Sequence, residues 1–135
     1  MGKYKNRKFP RDFAKVAEWL RTQKGVVVNL GTTTEFAGHF TREVTIHHNF
    51  ELTKNGLFAL LHECGHVLQP PTHTGINSYK NLDPKQYPDK VRMGRFLREV
   101  DAWDRGLQLA NDLGIHIDKK QWDKERDESL LTYFK

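Results

Sequence analysis

The pentapeptide His62-Glu63-Cys64-Gly65-His66 constrains this 135-residue chain more than any other stretch. Two histidines four residues apart, with a glutamate after the first, have the ligand spacing of a catalytic zinc site on a helix. On a helix they lie on one face about a turn apart, where both imidazoles can close on Zn²⁺ at roughly 2.0 to 2.1 Å. The motif therefore demands a helix, and a second element that brings another ligand to it. From Thr53 to Gln69 the apolar residues Leu57, Leu60, Leu61, Cys64, Val67 and Leu68 recur at helical spacing, which puts the histidines beside a buried stripe. Thr53 is the expected N-cap, and Pro70-Pro71 ends the helix. Glu63, one step around the helix, is placed to reach a water at an open metal position and act as general base.

A catalytic zinc usually takes three protein ligands, and the third sorts such enzymes into classes. The extended pattern HExxHxxGxxH fails: Gln69 stands in place of its glycine and Thr72 in place of its third histidine, with His73 one residue out of register. His73 and His116 remain candidates outside any recognisable pattern. A long helical stretch from about Pro88 to Leu113 offers two competing acids, Glu99 and Asp101. At 100° per residue Glu99 shares a face with Phe96, Trp103, Gly106 and Ala110, whereas Asp101 falls with Arg98, Arg105 and Gln108. A carboxylate on a semi-apolar face needs a partner or a metal. Glu99 is therefore the expected ligand, against the alternative of a surface ion pair with Arg92 or Arg95.

The remaining residues bound the setting. The length suits a basic N-terminal arm over 1–9 and a single domain over 10–135. One cysteine, Cys64, leaves no internal disulfide framework and is expected as a small buried hydrophobe. No apolar run approaches membrane-spanning length and the N-terminus lacks a signal-peptide core, so a soluble, cytoplasmic protein is expected. Net charge is +5, with Lys3, Lys5, Arg7, Lys8 and Arg11 clustered near the start. Such an arm can touch nucleic acid, but no aromatic-interleaved motif accompanies it, so a frayed terminus is favoured and a protein or peptide is the expected partner.

The pattern predicts an α+β plan. Pro10 to Lys24 reads as a helix with Phe13, Val16, Ala17 and Leu20 on one face, and Val26 to Leu30 as a short strand. Glu43 to His48 alternates as a second strand, and 70 to 87 form a long irregular loop of the kind that often carries function. Gly114 ends the Glu99 helix, and Asp118 with Gln121 caps a last helix bearing Trp122, Leu130, Tyr133 and Phe134.

Val44-Thr45-Ile46-His47-His48, the run Leu60 to Leu68 and Glu99-Val100-Asp101-Ala102-Trp103 together resemble the edge strand, motif helix and ligand helix of small gluzincins of the ImmA/IrrE type. Members of that family often occur in phages and mobile elements, and the resemblance covers roughly residues 13 to 113. It implies a minimal zincin-like domain, a small twisted sheet with an edge strand packed against the HExxH helix and a glutamate-bearing helix. It also implies His62, His66 and Glu99 as ligands of one Zn²⁺, with Glu63 as catalytic base. Asp101 and Trp103 depart from the family's pattern, so the surroundings of the ligands must differ.

The expected activity is zinc-dependent hydrolysis of peptide bonds. Zinc would lower the pKa of a bound water towards about 7 and polarise the carbonyl, while Glu63 moves the proton to the leaving amine. Tyr79, Tyr87 and His73 are candidates for stabilising the oxyanion. The strand at Thr45, Ile46 and His47 is a candidate edge for extended substrate. The rival readings are a SprT-like protease acting on DNA-associated proteins, which would normally use a third histidine, and a non-catalytic zinc-binding regulatory protein. Retention of Glu63, which a closed structural site does not require, argues against the second.

Overall fold

Phe13 and Val16, three residues apart, lie on one face of the first helix, α1 (Lys8–Trp19), and both are buried. The computed structural model describes residues 8–31, 36–38, 43–47, 54–70 and 82–134, with 29–31, 36–38 and 43–47 described by their backbone. After α1 the chain widens into a π turn, Leu20–Lys24. Gly25 then reverses it at φ 65° with its N–H bonded to Leu20 O, a left-handed conformation that costs least without a Cβ.

Three short strands follow: β1 (Val27–Gly31), β2 (Phe36–Gly38) and β3 (Glu43–His47). They pair in the order β1-β3-β2, parallel between β1 and β3 and antiparallel between β2 and β3. Then come α2 (Lys54–Leu68), α3 (Pro88–Asp112) and α4 (Lys119–Leu131), with a closing 3₁₀ turn at Thr132–Phe134. Gly114, at φ 72°, lets the chain turn out of α3. Asp118 starts α4 by accepting the N–H groups of Lys120 and Gln121, two donors that the first turn cannot satisfy internally. The expected N-cap Thr53 lies outside the described residues.

Among the residues whose side chains are described, the core is mainly helical. Leu57, Leu60, Leu61 and Cys64 of α2 meet Trp103, Leu109 and Ala110 of α3, with Phe13, Val16 and Leu20 on one side and Trp122 and Leu130 of α4 on another. Each leucine buried in this way contributes about 1.5 to 3 kcal/mol. Trp122 packs edge-on against Phe58 (centroids 5.0 Å apart) and Trp103 (4.9 Å), which ties α4 to both central helices.

Two glycines set how closely α2 and α3 approach. A Cβ on Gly65 would lie 1.8 Å from the carbonyl oxygen of Ala102, and one on Gly106 would lie 2.4 Å from that of Leu61. The helices therefore touch backbone to backbone, and the crossing sets residues 62–66 directly over the stretch that contains Glu99.

This architecture corrects the expected α+β class with its small twisted sheet. The described chain is dominated by its four α-helices, which supply most of the buried residues among those whose side chains are described. Parallel strands normally need cover on both faces, yet Val27 is 59% exposed while Val28 packs against the helical core. The edge-strand expectation for Thr45, Ile46 and His47 fails at Thr45, because β3 runs between β1 and β2 there, whereas Ile46 and His47 are paired on the β1 side. Thr45 pairs with Asn29 on one side and Phe36 on the other, and Ile46 and His47 pair with Leu30 and Gly31. No described helix is long and apolar enough to cross a membrane.

Candidate metal centre

Across the glycine crossing, His62 and His66 of α2 meet Glu99 of α3. Glu99 Oε2 lies 2.7 Å from His62 Nε2 and 3.0 Å from His66 Nε2. One ligand atom from each of the three residues falls within 4.8 Å of the others, and this is the one such group of metal-binding side chains among the described residues. Their side chains are 16, 12 and 23% exposed, so the site is recessed yet open to solvent. Two imidazole nitrogens and one carboxylate oxygen are a donor set that suits zinc and leaves a fourth position free. Tetrahedral ligand atoms at zinc distances stand roughly 3.3 Å apart, so the carboxylate would withdraw by about half an ångström to admit the ion.

The electrostatics fit an ionised glutamate between two imidazoles. Burial opposes charge on Glu99, but hydrogen bonds from His62 and His66 outweigh it and hold the carboxyl at about 2. For His66 burial favours the neutral ring, yet the Glu99 carboxylate, with help from Gln69 and Glu63, raises its pKa. Arg92 and Arg95 make no ion pair with Glu99, so the surface-pair alternative is not what the geometry contains.

Gln69 is the residue that sequence reasoning passed over. Its amide nitrogen donates to Arg98 O (2.7 Å) and to Asp101 Oδ2 (3.1 Å), which turns Oε1 toward His66 Nδ1 at 3.0 Å. That oxygen can only accept, so Nδ1 carries a proton in either charge state; the charged ring, which the raised pKa favours, also donates from Nε2 to Glu99, and the neutral ring keeps its lone pair on Nε2. Arg98 Nε also donates to Gln69 Oε1, and Arg105 donates to Asp101 at 2.6 Å. Asp101, the competing acid, is thus anchored in the network behind His66 and does not join the cluster. The position where the extended motif has glycine holds the side chain that orients a histidine.

Trp103 backs the other histidine. Its ring lies parallel to His62 with centroids 4.5 Å apart and planes 10° from parallel, which restricts the imidazole to one orientation. The indole Nε1–H is buried without a hydrogen-bond partner among the described residues, so Trp103 acts by its face. Glu63 is 5% exposed, and its Oε1 lies 4.0 Å from His62 Nδ1, beside the cluster and outside it. Cys64 is fully buried and its thiol pKa is pushed up by burial, which leaves it a packing residue.

The remaining candidates separate. His116 is exposed and outside the cluster. His73 and Tyr79 lie outside the described residues. Tyr87 stands at the start of α3, twelve residues before Glu99 and so about 18 Å away along the helix axis, too far to meet an oxyanion at the cluster. Among the described residues Tyr133, which sequence reasoning did not weigh for this role, is the tyrosine near the site. It packs edge-on against Phe96 at 6.2 Å, and burial and the Glu99 charge raise its pKa while Arg95 opposes them. Only the packing of the C-terminal turn against α3 reveals it.

Compared with protein-family models, curated proteins and solved structures, the chain matches none.

Proposed function

We propose that this protein is a zinc-dependent peptidase with His62, His66 and Glu99 as ligands and Glu63 as general base. The observation that carries the reading is the convergence of an HExxH pair with a glutamate from another helix, held at hydrogen-bonding distance by a backbone-contact crossing. When bound, zinc supplies Lewis acidity toward a carbonyl and lowers the pKa of water at its open position towards about 7. The chain's own groups do the rest. Gln69 keeps the His66 lone pair on Nε2, Trp103 holds the His62 ring flat, and Glu99 contributes the anionic donor. Glu63 accepts a proton from the attacking water and delivers it to the departing amine, and its burial beside His62 limits its wandering.

A glutamate in the cluster, with His116 exposed elsewhere, favours this reading over the SprT-like one. A retained base favours it over a non-catalytic regulator. The test is an unbiased peptide-library digest with zinc-loaded wild type and Glu63→Gln, matched for zinc content and thermal stability. The glutamine keeps size and hydrogen bonding but accepts no proton, so cleavage should fall by roughly 10² to 10⁴-fold while zinc stays bound. Equal cleavage by both proteins would show that Glu63 is not the base.

A further inference from the structure

Between the N-terminal half of α3 and the closing 3₁₀ turn lies a cavity of about 310 Å³, lined by Pro84, Pro88, Val91, Arg92, Arg95, Thr132 and Tyr133. Two of its lining residues, Arg92 and Arg95, are arginines three residues apart on one helical face, and neither has an acidic partner among the described residues. Every other arginine of α3 is engaged: Arg98 with Gln69 and Arg105 with Asp101. Unpaired guanidinium forks flanking a concave surface favour a planar, bidentate anion, and a carboxylate fits that geometry. Tyr133 adds a hydroxyl that stays protonated, and Phe96, packed against both Tyr133 and Phe134, holds the turn in place. The prolines and Val91 give the cavity an apolar wall suited to the carbon stem of a side chain.

The cavity lies one to two helical turns along α3 from Glu99 of the His62-His66-Glu99 group. Arg95 precedes Glu99 by one helical turn, about 6 Å along the axis, and Arg92 by about 10 Å. An extended peptide advances about 3.3 Å per residue. We infer that this cavity is a subsite for a carboxylate of the peptide substrate, two or three residues from the bond held at the His62-His66-Glu99 cluster. The inference rests on the peptidase reading for the substrate's identity, but the anion site stands on its own geometry. The carboxylate belongs either to an acidic side chain or to the substrate's C-terminus.

Two measurements test it. The first follows the Arg92 and Arg95 Nε–H signals by NMR while N-acetylglutamate, its γ-amide (N-acetylglutamine), its α-amide and its diamide are titrated into the zinc-loaded protein. Saturable shifts with a carboxylate and none with the diamide are expected, and the two mono-amides tell which carboxylate is held. Absence of shifts at both arginines overturns the subsite whatever the cleavage data show.

The second compares cleavage of peptides bearing Glu or Gln at each position, each as C-terminal acid and amide, by wild type and the Arg92→Gln/Arg95→Gln double variant. Wild type should prefer the carboxylate by about tenfold or more, seen mainly in KM, as charge-assisted hydrogen bonds warrant. The double variant should lose the preference while keeping its zinc and its rate on neutral peptides. Equal rates on acidic and neutral peptides, or an unchanged preference in the variant, would refute the proposal. Arginine shifts with no peptide cleaved would refute the peptidase reading and leave the anion site standing.

Discussion

Replacing Gly65 by alanine adds one methyl group at the point where α2 and α3 touch. The new Cβ would stand 1.8 Å from Ala102 O, where ordinary contact begins near 3.4 Å, so about 1.6 Å must be made up. The obstruction is backbone, which cannot rotate aside, and the helices must part. Ala102 is three residues from Glu99 on the same helix, so the carboxylate moves with it. Metal ligands tolerate displacements of about 0.2 Å, and a shift several times larger removes Glu99 from the coordination sphere. Losing the supporting partners of a ligand already costs 10- to 100-fold in affinity, so zinc binding should weaken by about 100-fold or more. Overpacking should also cost about 1 to 3 kcal/mol of stability. Competition with a chromophoric chelator gives the affinity, and urea unfolding of the zinc-free protein gives the stability. Gly114→Ala is the control, since a Cβ there meets nothing within 4 Å and strains only the local turn at φ 72°. If Gly65→Ala bound zinc within twofold of wild type, the crossing would not be what positions the cluster.

Glu99→Ala should weaken zinc binding far more than Asp101→Ala, because Glu99 faces both histidines while Asp101 faces Gln69 and Arg105; the same chelator competition would refute this if the two variants matched. Gln69→Leu should keep the fold and lower zinc affinity about 10- to 100-fold by freeing the His66 tautomer, and an unchanged affinity would remove Gln69 from its positioning role. The pH dependence of the zinc-free protein has a definite sign. Glu99 is held at about 2, below its ordinary 4.5, so its contribution is complete above pH 4.5 and is lost as pH falls towards 2. His66 is raised above its ordinary 6.5, so its contribution is complete below 6.5 and is lost as pH rises through the folded value. The cluster's stabilisation should therefore be greatest between about pH 4.5 and 6.5 and should vanish in Glu99→Gln. Two and a half pKa units correspond to a ceiling of about 3 kcal/mol, and partial exposure reduces the expected effect to about 1 to 2. Denaturation curves of both proteins from pH 3 to 8 would contradict the assignment if their difference did not vary with pH.

What could be read ahead of the structure was local. The motif helix follows from histidine spacing and from the apolar run Leu57 to Leu68, both of which act within a few turns of one helix. The choice of Glu99 over Asp101 as the acid nearest the histidines followed from helical faces, because Trp103, Gly106 and Ala110 mark the side of α3 that meets α2. What escaped was relational. Gln69 orients His66 only through Arg98 and Asp101, about thirty residues away, and no periodicity encodes that contact. Alternation at 43–47 indicated a strand but not its neighbours, so β3 was expected at an edge and lies between β1 and β2. The weight given to a sheet had the same cause: strand patterns are visible in isolation, whereas the dominance of helix-on-helix packing depends on two glycines meeting a facing backbone. Trp103, where the family's pattern has a different residue, stacks on His62.

The central claim is that His62, His66 and Glu99 hold one zinc ion. Elemental analysis of the purified protein at neutral pH, beside Glu99→Ala and His62→Ala prepared identically, tests it most directly. The account predicts about one zinc per chain in the wild type, sharply reduced occupancy in both variants and retained helical content in all three. Wild-type protein that stays free of zinc after zinc-supplemented purification, or variants that hold it as fully as wild type, would contradict it.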